Sequence, residues 1–154
     1  MPTFDYTFTV KAPLKAVADF HRDARALRRL SPPPLFVQLH RVDPIGEGAI
    51  ADFTLWFGPL PLRWVAVHSN VSPQHGFTDT QQHGPLKSWR HTHRFEAIDA
   101  HTTRIHEHIE YEYPSGLPGL LARLLFSPPA LLLLFTYRRW VTRRVLEGKE
   151  RRGS

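Results

Sequence analysis

The sequence contains no cysteine among its 154 residues. Disulfide bonds and thiolate metal sites are therefore excluded, and the composition favours a reducing cytoplasm over a small secreted scaffold. Long hydrophobic runs are also missing, because the longest, ALLLLF, covers Ala130 to Phe135, whereas a membrane-spanning helix needs about 20 apolar residues. The opening residues, MPTFDYTFTVKAP, lack the basic and apolar regions of a signal peptide. We therefore expect a cytoplasmic protein without a transmembrane segment.

Positive charge is in excess, but most of it is scattered along the chain. The formal net charge is +6 and the isoelectric point is about 10.2. Basic residues concentrate only in the closing stretch YRRWVTRRVLEGKERR, where cations favour a helix C-terminus. Since these charges are not interleaved with a series of stacking aromatic residues, we expect no nucleic-acid partner. The length and the hydrophobic content of 42% fit one domain, residues 1–148, followed by a basic tail, residues 149–154.

The first quarter of the chain predicts one strand and two short helices. Residues Thr3–Val10 alternate apolar and polar side chains, as a half-buried strand does. Pro13 suits the first turn of a helix, and Asp23 can cap a second short helix that ends before Pro32.

The remainder predicts a sheet followed by a long helix. Between Leu35 and Tyr113 a period-two pattern is interrupted by turn signals such as DPIGEG and SPQHG, which predicts six consecutive antiparallel strands. Residues 115–126 indicate an apolar, glycine-broken connection. Ser127 then caps a helix that contains Pro128 and Pro129 in its first turn and runs to about Glu147.

This order of elements resembles the helix-grip fold of the START-related SRPBCC superfamily, which includes polyketide cyclase/dehydrase-like proteins. The stretches that carry the resemblance are VKAPLKAVADFH, GFTDTQQHGPLKSWRHTHRF, IEYEYPSGLPG and LFTYRR, and the local match is to a bacterial ligand-binding branch. The resemblance implies an α+β fold in which a curved antiparallel sheet grips the terminal helix around an apolar cavity. It implies no single chemistry, since a fold hosts many functions.

Turn lengths predict which side chains of the strands face inward. If Phe57 lies opposite Leu62 across the turn GPLP, the same face continues through the pairs Leu55–Trp64, Phe53–Ala66 and Ala51–His68. The next turns then predict the pairs His68–Asp79, Asp79–His91, Phe77–His93 and His93–Glu107. The alternation sends His106, His108, Glu110 and Glu112 to the outer, solvated face.

Charged side chains that converge inside a sheet must pair, lose their charge or contact water. A lined pocket accounts for them together with Arg138, the one charge on the inward face of the long helix. We predict that the cavity wall is built from Phe53, Leu55, Trp64, Phe77, Trp89, Phe95, Ile109, Tyr111, Leu134 and Phe135. The predicted ligand-binding residues are Trp64, His68, Phe77, Asp79, Trp89, His91, His93, Glu107, Tyr111, Leu134 and Arg138.

Several functions fit this set, and the preferred one is binding of a hydrophobic small molecule, lipid- or polyketide-like, with a carboxylate or carbonyl group near Arg138. Arg138 fits equally well in an ion pair with Glu107 or Asp79. An enzyme of the cyclase/dehydrase type would use His91 or His93 as general base with Glu107 or Asp79 to orient it.

Two further alternatives concern metal binding and self-association. A metal on His91, His93 and Glu107 has a known ligand set, but histidines two apart on a strand are common, so we expect no metal and no cofactor. A homodimer through Leu133, Tyr137 and Trp140 is the remaining alternative.

Overall fold

The computed structural model describes residues 1–23 and 25–153, and its architecture is the predicted α+β helix-grip fold. The elements follow the predicted order, with one additional short helix before the last one. Their bounds are β1 (Thr3–Val10), α1 (Leu14–Arg22), α2 (Ala26–Arg29), β2 (Leu35–Val42), β3 (Ile50–Phe57), β4 (Leu60–Ser72), β5 (Gly76–His83), β6 (Ser88–Asp99), β7 (Thr102–Glu112), α3 (Gly116–Leu125) and α4 (Pro128–Gly153).

The seven strands form one antiparallel sheet in the order β1-β7-β6-β5-β4-β3-β2. From β2 to β7, each strand therefore pairs with the strand that follows it in sequence. The last strand, β7, also pairs with the first strand, β1. One face of the sheet carries buried Trp64, Trp89 and Ile109, which pack with Leu131 and Phe135 of α4. We call this the inner face and the opposite one the outer face.

Helix α4 covers the inner face. Its start is fixed by the backbone N–H of Ala130, which donates a hydrogen bond of 3.3 Å to Ser127 Oγ. Farther along, the Phe135 ring lies 5.5 Å from that of Phe4 and 6.0 Å from that of Tyr6. The inward direction predicted for Leu134, Phe135 and Arg138 is confirmed, since Phe135 is buried and the other two line the cavity on the same side of the helix as buried Leu131, Val141 and Thr142.

The predicted connection at residues 115–126 is instead helix α3, and its glycine and proline residues explain the difference. Pro118 lies in the first turn, where its missing N–H removes no helical hydrogen bond. Gly119 passes so close to Pro114 that a Cβ there would lie 1.9 Å from the Pro114 carbonyl oxygen. Glycine here permits close packing and does not interrupt the helix.

Helix α3 and the adjoining start of α4 expose several leucines. Leu117 and Leu120 of α3, and Leu133 of α4, are largely exposed. Of the described helices, none is by itself long and apolar enough to span a membrane. Helix α3 and residues Pro128–Lys149 meet that length and composition only when taken together, as a pair bent by 41°.

Helix α4 also continues to Gly153, beyond the predicted end near Glu147. Within the predicted basic tail, residues 149–153 are helical, whereas Ser154 lies outside the described residues. Gly148 is the only potential breaker between Glu147 and Gly153, and one glycine costs a helix about 1 kcal/mol.

The register of β3 against β4 differs from the predicted one by two residues. Phe57 pairs with Leu60, because a two-residue turn at Gly58–Pro59 replaces the longer predicted loop, and Gly58 adopts a φ of +60°. The observed pairs are Leu55–Leu62, Phe53–Trp64 and Ala51–Ala66. A shift of two preserves the face of every side chain, so the predicted inward set is retained.

Candidate functional site

A cavity of about 430 Å³ lies between the inner face of the sheet, helices α1 and α2, and the first half of α4. Most of its wall is apolar, from residues such as Ala51, Phe53 and Leu55. The predicted ligand-binding residues that line it are Trp64, His68, Phe77, Asp79, Trp89, His91, His93, Leu134 and Arg138.

Two predicted ligand-binding residues, Glu107 and Tyr111, are not part of the cavity lining within the described chain. Both are buried behind it. Tyr111 packs against Trp89, with ring centroids 6.3 Å apart, and Glu107 lies beneath two histidines. Both residues lie on β7, which pairs with β6 on one side and with β1 on the other.

Aromatic side chains give the apolar wall its shape. Phe53 and Trp64 stack with their ring planes 10° apart and centroids separated by 6.2 Å. Trp64 meets Trp89 edge to face at 5.4 Å, and Phe126 packs 5.9 Å from Trp64. Of the predicted wall residues, the four that the lining omits are Phe95, Ile109, Tyr111 and Phe135, which are buried in the core.

The polar part of the wall follows from strand pairing. The predicted pairs His68–Asp79 and Asp79–His91 are confirmed, as are Phe77–His93 and His93–Glu107. Strands β5, β6 and β7 thus bring together Asp79, His91, His93 and Glu107, which we call the inner cluster.

The inner cluster alternates imidazoles with carboxylates. His91 Nε2 donates to Glu107 Oε2 at 2.6 Å, and His93 Nε2 donates to Asp79 Oδ2 at 2.8 Å. His93 Nδ1 lies 3.0 Å from Glu107 Oε2, although the angle does not make a hydrogen bond. His91 Nδ1 is 3.9 Å from Asp79 Oδ2. Each histidine therefore contacts both carboxylates.

Burial and mutual attraction together set the protonation of the inner cluster. Burial disfavours the charged form of His93, but the charge of Glu107 and the hydrogen bond to Asp79 outweigh it and raise the pKa of His93 to about 9. Burial and the His93 charge lower the pKa of His91. The pKa values of Glu107 and Asp79 are both lowered, because nearby histidines outweigh the effect of burial. At neutral pH, His91 is neutral and the other three groups are charged.

His21 of α1 also lines the cavity, although sequence analysis did not single it out. Its Nδ1 donates to the Val17 carbonyl at 2.8 Å, and its ring lies 4.7 Å from Phe95 and 6.3 Å from His93. Burial lowers the pKa of His21 to about 4. Its spacing of four residues from buried Val17 was the signal that could have placed it on the inward side of the helix.

Arg138 reaches the cavity from α4. Its Nε donates to the Leu30 carbonyl at 3.2 Å, and the guanidinium carbon lies 5.1 Å from the Phe135 ring centroid. Neither Glu107 nor Asp79, the predicted ion-pair partners, is within ion-pair distance, although both charges act on Arg138 from farther away. Burial lowers the pKa of this guanidinium, which remains charged at neutral pH.

His68 lines the cavity but stands apart from the hydrogen bonds of the inner cluster. Its Nδ1 donates to the Ala49 carbonyl at 3.2 Å, and its ring meets Phe77 at 5.3 Å. The predicted Ala51–His68 pair is wrong, since the backbone of His68 bonds to Ala49 and Gly48 as a result of the shifted β3–β4 register.

A family model described as "Polyketide cyclase / dehydrase and lipid transport" matches residues 10–134. The chain belongs to this polyketide cyclase/dehydrase and lipid transport family. A search of curated proteins finds no match. This match confirms the predicted resemblance to the SRPBCC superfamily.

Solved structures support the same fold for this polyketide cyclase/dehydrase family member. Protein CV1439 from Chromobacterium violaceum superposes with a TM-score of 0.77 and 13% sequence identity, over 96% of this chain and 99% of that one. The Zhui aromatase/cyclase from Streptomyces sp. R1128 superposes with a TM-score of 0.69 and 15% identity, over 94% and 95% of the two chains. At these identities the likeness shows the helix-grip fold alone.

A second histidine cluster lies on the outer face of this family member. His108 Nδ1 donates to Asp5 Oδ1 at 2.7 Å, and His106 Nε2 lies 3.3 Å from the same oxygen. These three side chains, which we call the outer cluster, are all partly exposed, as the predicted outward direction of His106 and His108 requires. Two groups in the described chain bring metal-ligating atoms within 4.8 Å of one another: the outer cluster, and Asp79, His91 and His93 of the inner cluster.

Proposed function

We propose that the protein binds a hydrophobic small molecule, lipid- or polyketide-like, in the cavity between the inner face and α4. The observation that carries this proposal is a cavity whose largely apolar wall also includes the histidines and the Asp79 carboxylate of the inner cluster, and Arg138. Its volume of about 430 Å³ is within the range of about 300–1,000 Å³ found for small-molecule sites. Burial of an apolar ligand here contributes roughly 25 cal/mol for each Å² removed from water.

The polar region sets which part of the ligand lies near the inner cluster. Arg138 is held by its Nε bond to Leu30, and its remaining donors have no carboxylate partner among the described residues. A carbonyl or carboxylate oxygen of the ligand supplies the acceptor that this guanidinium favours. A cytoplasmic location suits the cysteine-free composition.

Cavity filling tests this proposal. Ala66 lines the cavity, whereas Val67, the next residue of β4, points to the outer face. The Ala66→Phe variant should lose at least about tenfold in affinity for N-phenyl-1-naphthylamine, a neutral apolar fluorescent probe, since its new ring occupies the site and tenfold corresponds to about 1.4 kcal/mol. Val67→Phe is the matched control and should bind as the wild type does. Equal affinity in both variants would contradict the proposed site.

A matched pair of probes tests the role of Arg138. 8-Anilino-1-naphthalenesulfonate adds a negative charge to the same aromatic framework. Arg138→Gln should weaken the sulfonate probe more than the neutral one, because only the sulfonate can accept the guanidinium donors. A uniform loss for both probes would assign Arg138 to packing alone. Native mass spectrometry of the purified chain then identifies a ligand that is retained from the cell.

Acid/base catalysis is a second candidate, and one observation favours it. Glu107 is ionised and cannot donate, so the proton between it and His91 belongs to His91 Nε2. Neutral His91 therefore has its lone pair on Nδ1, and His91 is part of the cavity lining. We propose that in this alternative, of the cyclase/dehydrase type, His91 removes a proton next to a carbonyl held by Arg138.

Removal of a proton next to a carbonyl can be measured as deuterium exchange into a small test ketone, so the natural substrate need not be known. Cyclohexanone, whose α-hydrogens exchange slowly in neutral D₂O, should exchange them faster with the wild type than with His91→Gln when followed by NMR. Equal rates, after correction for exchange by buffer, would leave binding as the function.

A further inference from the structure

Three side chains of the inner cluster place ligand atoms around one point at the cavity surface. His93 Nε2 lies 2.8 Å and His91 Nδ1 lies 3.9 Å from Asp79 Oδ2, and one ligand atom from each of the three residues lies within 4.8 Å of the other two. A tetrahedral zinc ion with bonds of about 2.0–2.2 Å separates its ligand atoms by roughly 3.3–3.6 Å. The observed separations bracket that value, so small side-chain movements suffice to close the site.

Glu107 supplies a second, independent observation. It contacts the opposite nitrogen of each ring, at 2.6 Å from His91 Nε2 and 3.0 Å from His93 Nδ1. Metal-ligating histidines almost always donate their other ring N–H to a carboxylate, a carbonyl or water, which fixes the tautomer and the ring orientation. The buried carboxylate thus accepts a hydrogen bond from His91 and lies in ion-pair contact with His93, and the other ring nitrogens, His91 Nδ1 and His93 Nε2, are the ones nearest Asp79.

The three proposed ligand residues face the cavity, and the carboxylate that contacts their rings does not. Asp79, His91 and His93 line the cavity, whereas Glu107 lies behind them. The rings are held in place by packing, since Phe77 stacks 4.4 Å from His93 and Phe135 meets His91 edge to face at 5.5 Å. Rigid strands and packed rings are what a metal site needs from its scaffold.

In contrast to the expectation of no metal from the sequence, we propose that Asp79, His91 and His93 bind a divalent transition metal of the zinc class at the end of the cavity nearest the inner cluster, with Glu107 as the positioning carboxylate beneath them. In the metal-bound form His93 Nε2 exchanges its proton for the metal. Three protein ligands leave a fourth position open toward the cavity, where water or an oxygen of the bound small molecule coordinates. This site goes beyond the proposed binding function and is independent of it, because the ligand atoms all come from the chain.

Cobalt(II) is the probe for the experiment, since its visible absorption reports tetrahedral coordination by protein ligands. The outer cluster would compete, so the test uses the full chain with His106→Gln and His108→Gln, treated with a chelator and then dialysed. We expect one equivalent of Co²⁺ to bind with a tetrahedral spectrum, and Zn²⁺ to displace it. Absence of this binding would overturn the proposal.

Further substitutions in the same background assign the ligands. His91→Gln and His93→Gln should each abolish the tetrahedral spectrum, and Glu107→Gln should weaken Co²⁺ affinity by about 10–100-fold, the usual effect of losing an orienting carboxylate. Asp79→Asn changes a less buried group than either histidine, so this variant can still test the site if the histidine variants do not fold. It should weaken Co²⁺ binding and change the spectrum. A spectrum and affinity that Asp79→Asn leaves unchanged would overturn the site. Binding of N-phenyl-1-naphthylamine, measured with chelator present, reports separately on the proposed cavity function.

Discussion

Replacement of Glu107 by glutamine tests the electrostatic account of the inner cluster. The change keeps the shape of the side chain but removes the negative charge that both His91 and His93 contact. Breaking a buried ion pair by removing one partner costs about 3–5 kcal/mol. A change of 1 kcal/mol shifts the melting temperature of a chain of this size by about 2–4 °C, so we expect Tm to fall by roughly 6–20 °C. Urea unfolding at pH 7 in the presence of a chelator measures the free energy directly.

The same strand provides a matched control for this substitution. Glu110 lies three residues farther along β7, with its side chain about 42% exposed on the outer face. Glu110→Gln should change the free energy of unfolding by no more than about 0.5 kcal/mol, as surface substitutions usually do. If Glu107→Gln were as mild as Glu110→Gln, the inner cluster would not hold the charges assigned to it, and the reasoning would fail.

Substitutions at His21, Gly76 and Phe135 probe the surroundings of the cluster, and Gly58→Ala serves as a control. The pKa of His21 is about 4 in the folded chain against about 6.5 when unfolded, so acid protonates the unfolded state first and His21 lowers stability as pH falls from about 6.5 to 4. His21→Gln should flatten the urea-derived stability profile in that window, by up to about 1.4 kcal/mol per pH unit, and an unchanged slope would contradict the shift. Gly76→Ala should destabilise strongly in a thermal melt, because its Cβ would lie 1.8 Å from the His93 carbonyl oxygen, whereas Gly58→Ala, with open space and a positive φ, should cost only about 1–2 kcal/mol. Phe135→Ala should cost about 3–5 kcal/mol in urea unfolding, and a loss under about 1 kcal/mol would be inconsistent with its burial.

The faces of the strands could be predicted from the sequence because side chains alternate strictly along a strand. That rule, applied to the sequence alone, correctly places Asp79, His91, His93 and Glu107 together. The same rule does not determine turn length, so the predicted register of β3 against β4 was wrong by two residues, although each side chain of the two strands kept its predicted face.

Helix α3 and His21 show where local patterns are insufficient. Gly119 reads as a helix breaker in sequence, yet its role is to let the helix approach the Pro114 carbonyl, which is a tertiary contact. His21 lies in the short helix α1, and no local sequence pattern indicates how close this helix packs to the sheet. Arg138 lines the cavity as its place on the helix face predicts, but its hydrogen bond to the Leu30 carbonyl, in place of an ion pair with Glu107 or Asp79, depends on side-chain distances that periodicity does not encode.

Four charged groups at one end of the cavity balance one another at neutral pH. Asp79 and Glu107 are negative, and His93 and Arg138 are positive, so this group of four has no net charge. Dissolved salt screens exposed charges over about 10 Å at 0.1 M but acts much less on buried ones. Exposed ion pairs such as Lys87–Glu112 will therefore weaken at high salt concentration. The ion pairs of the buried inner cluster will weaken much less, so the cluster should remain intact at high ionic strength.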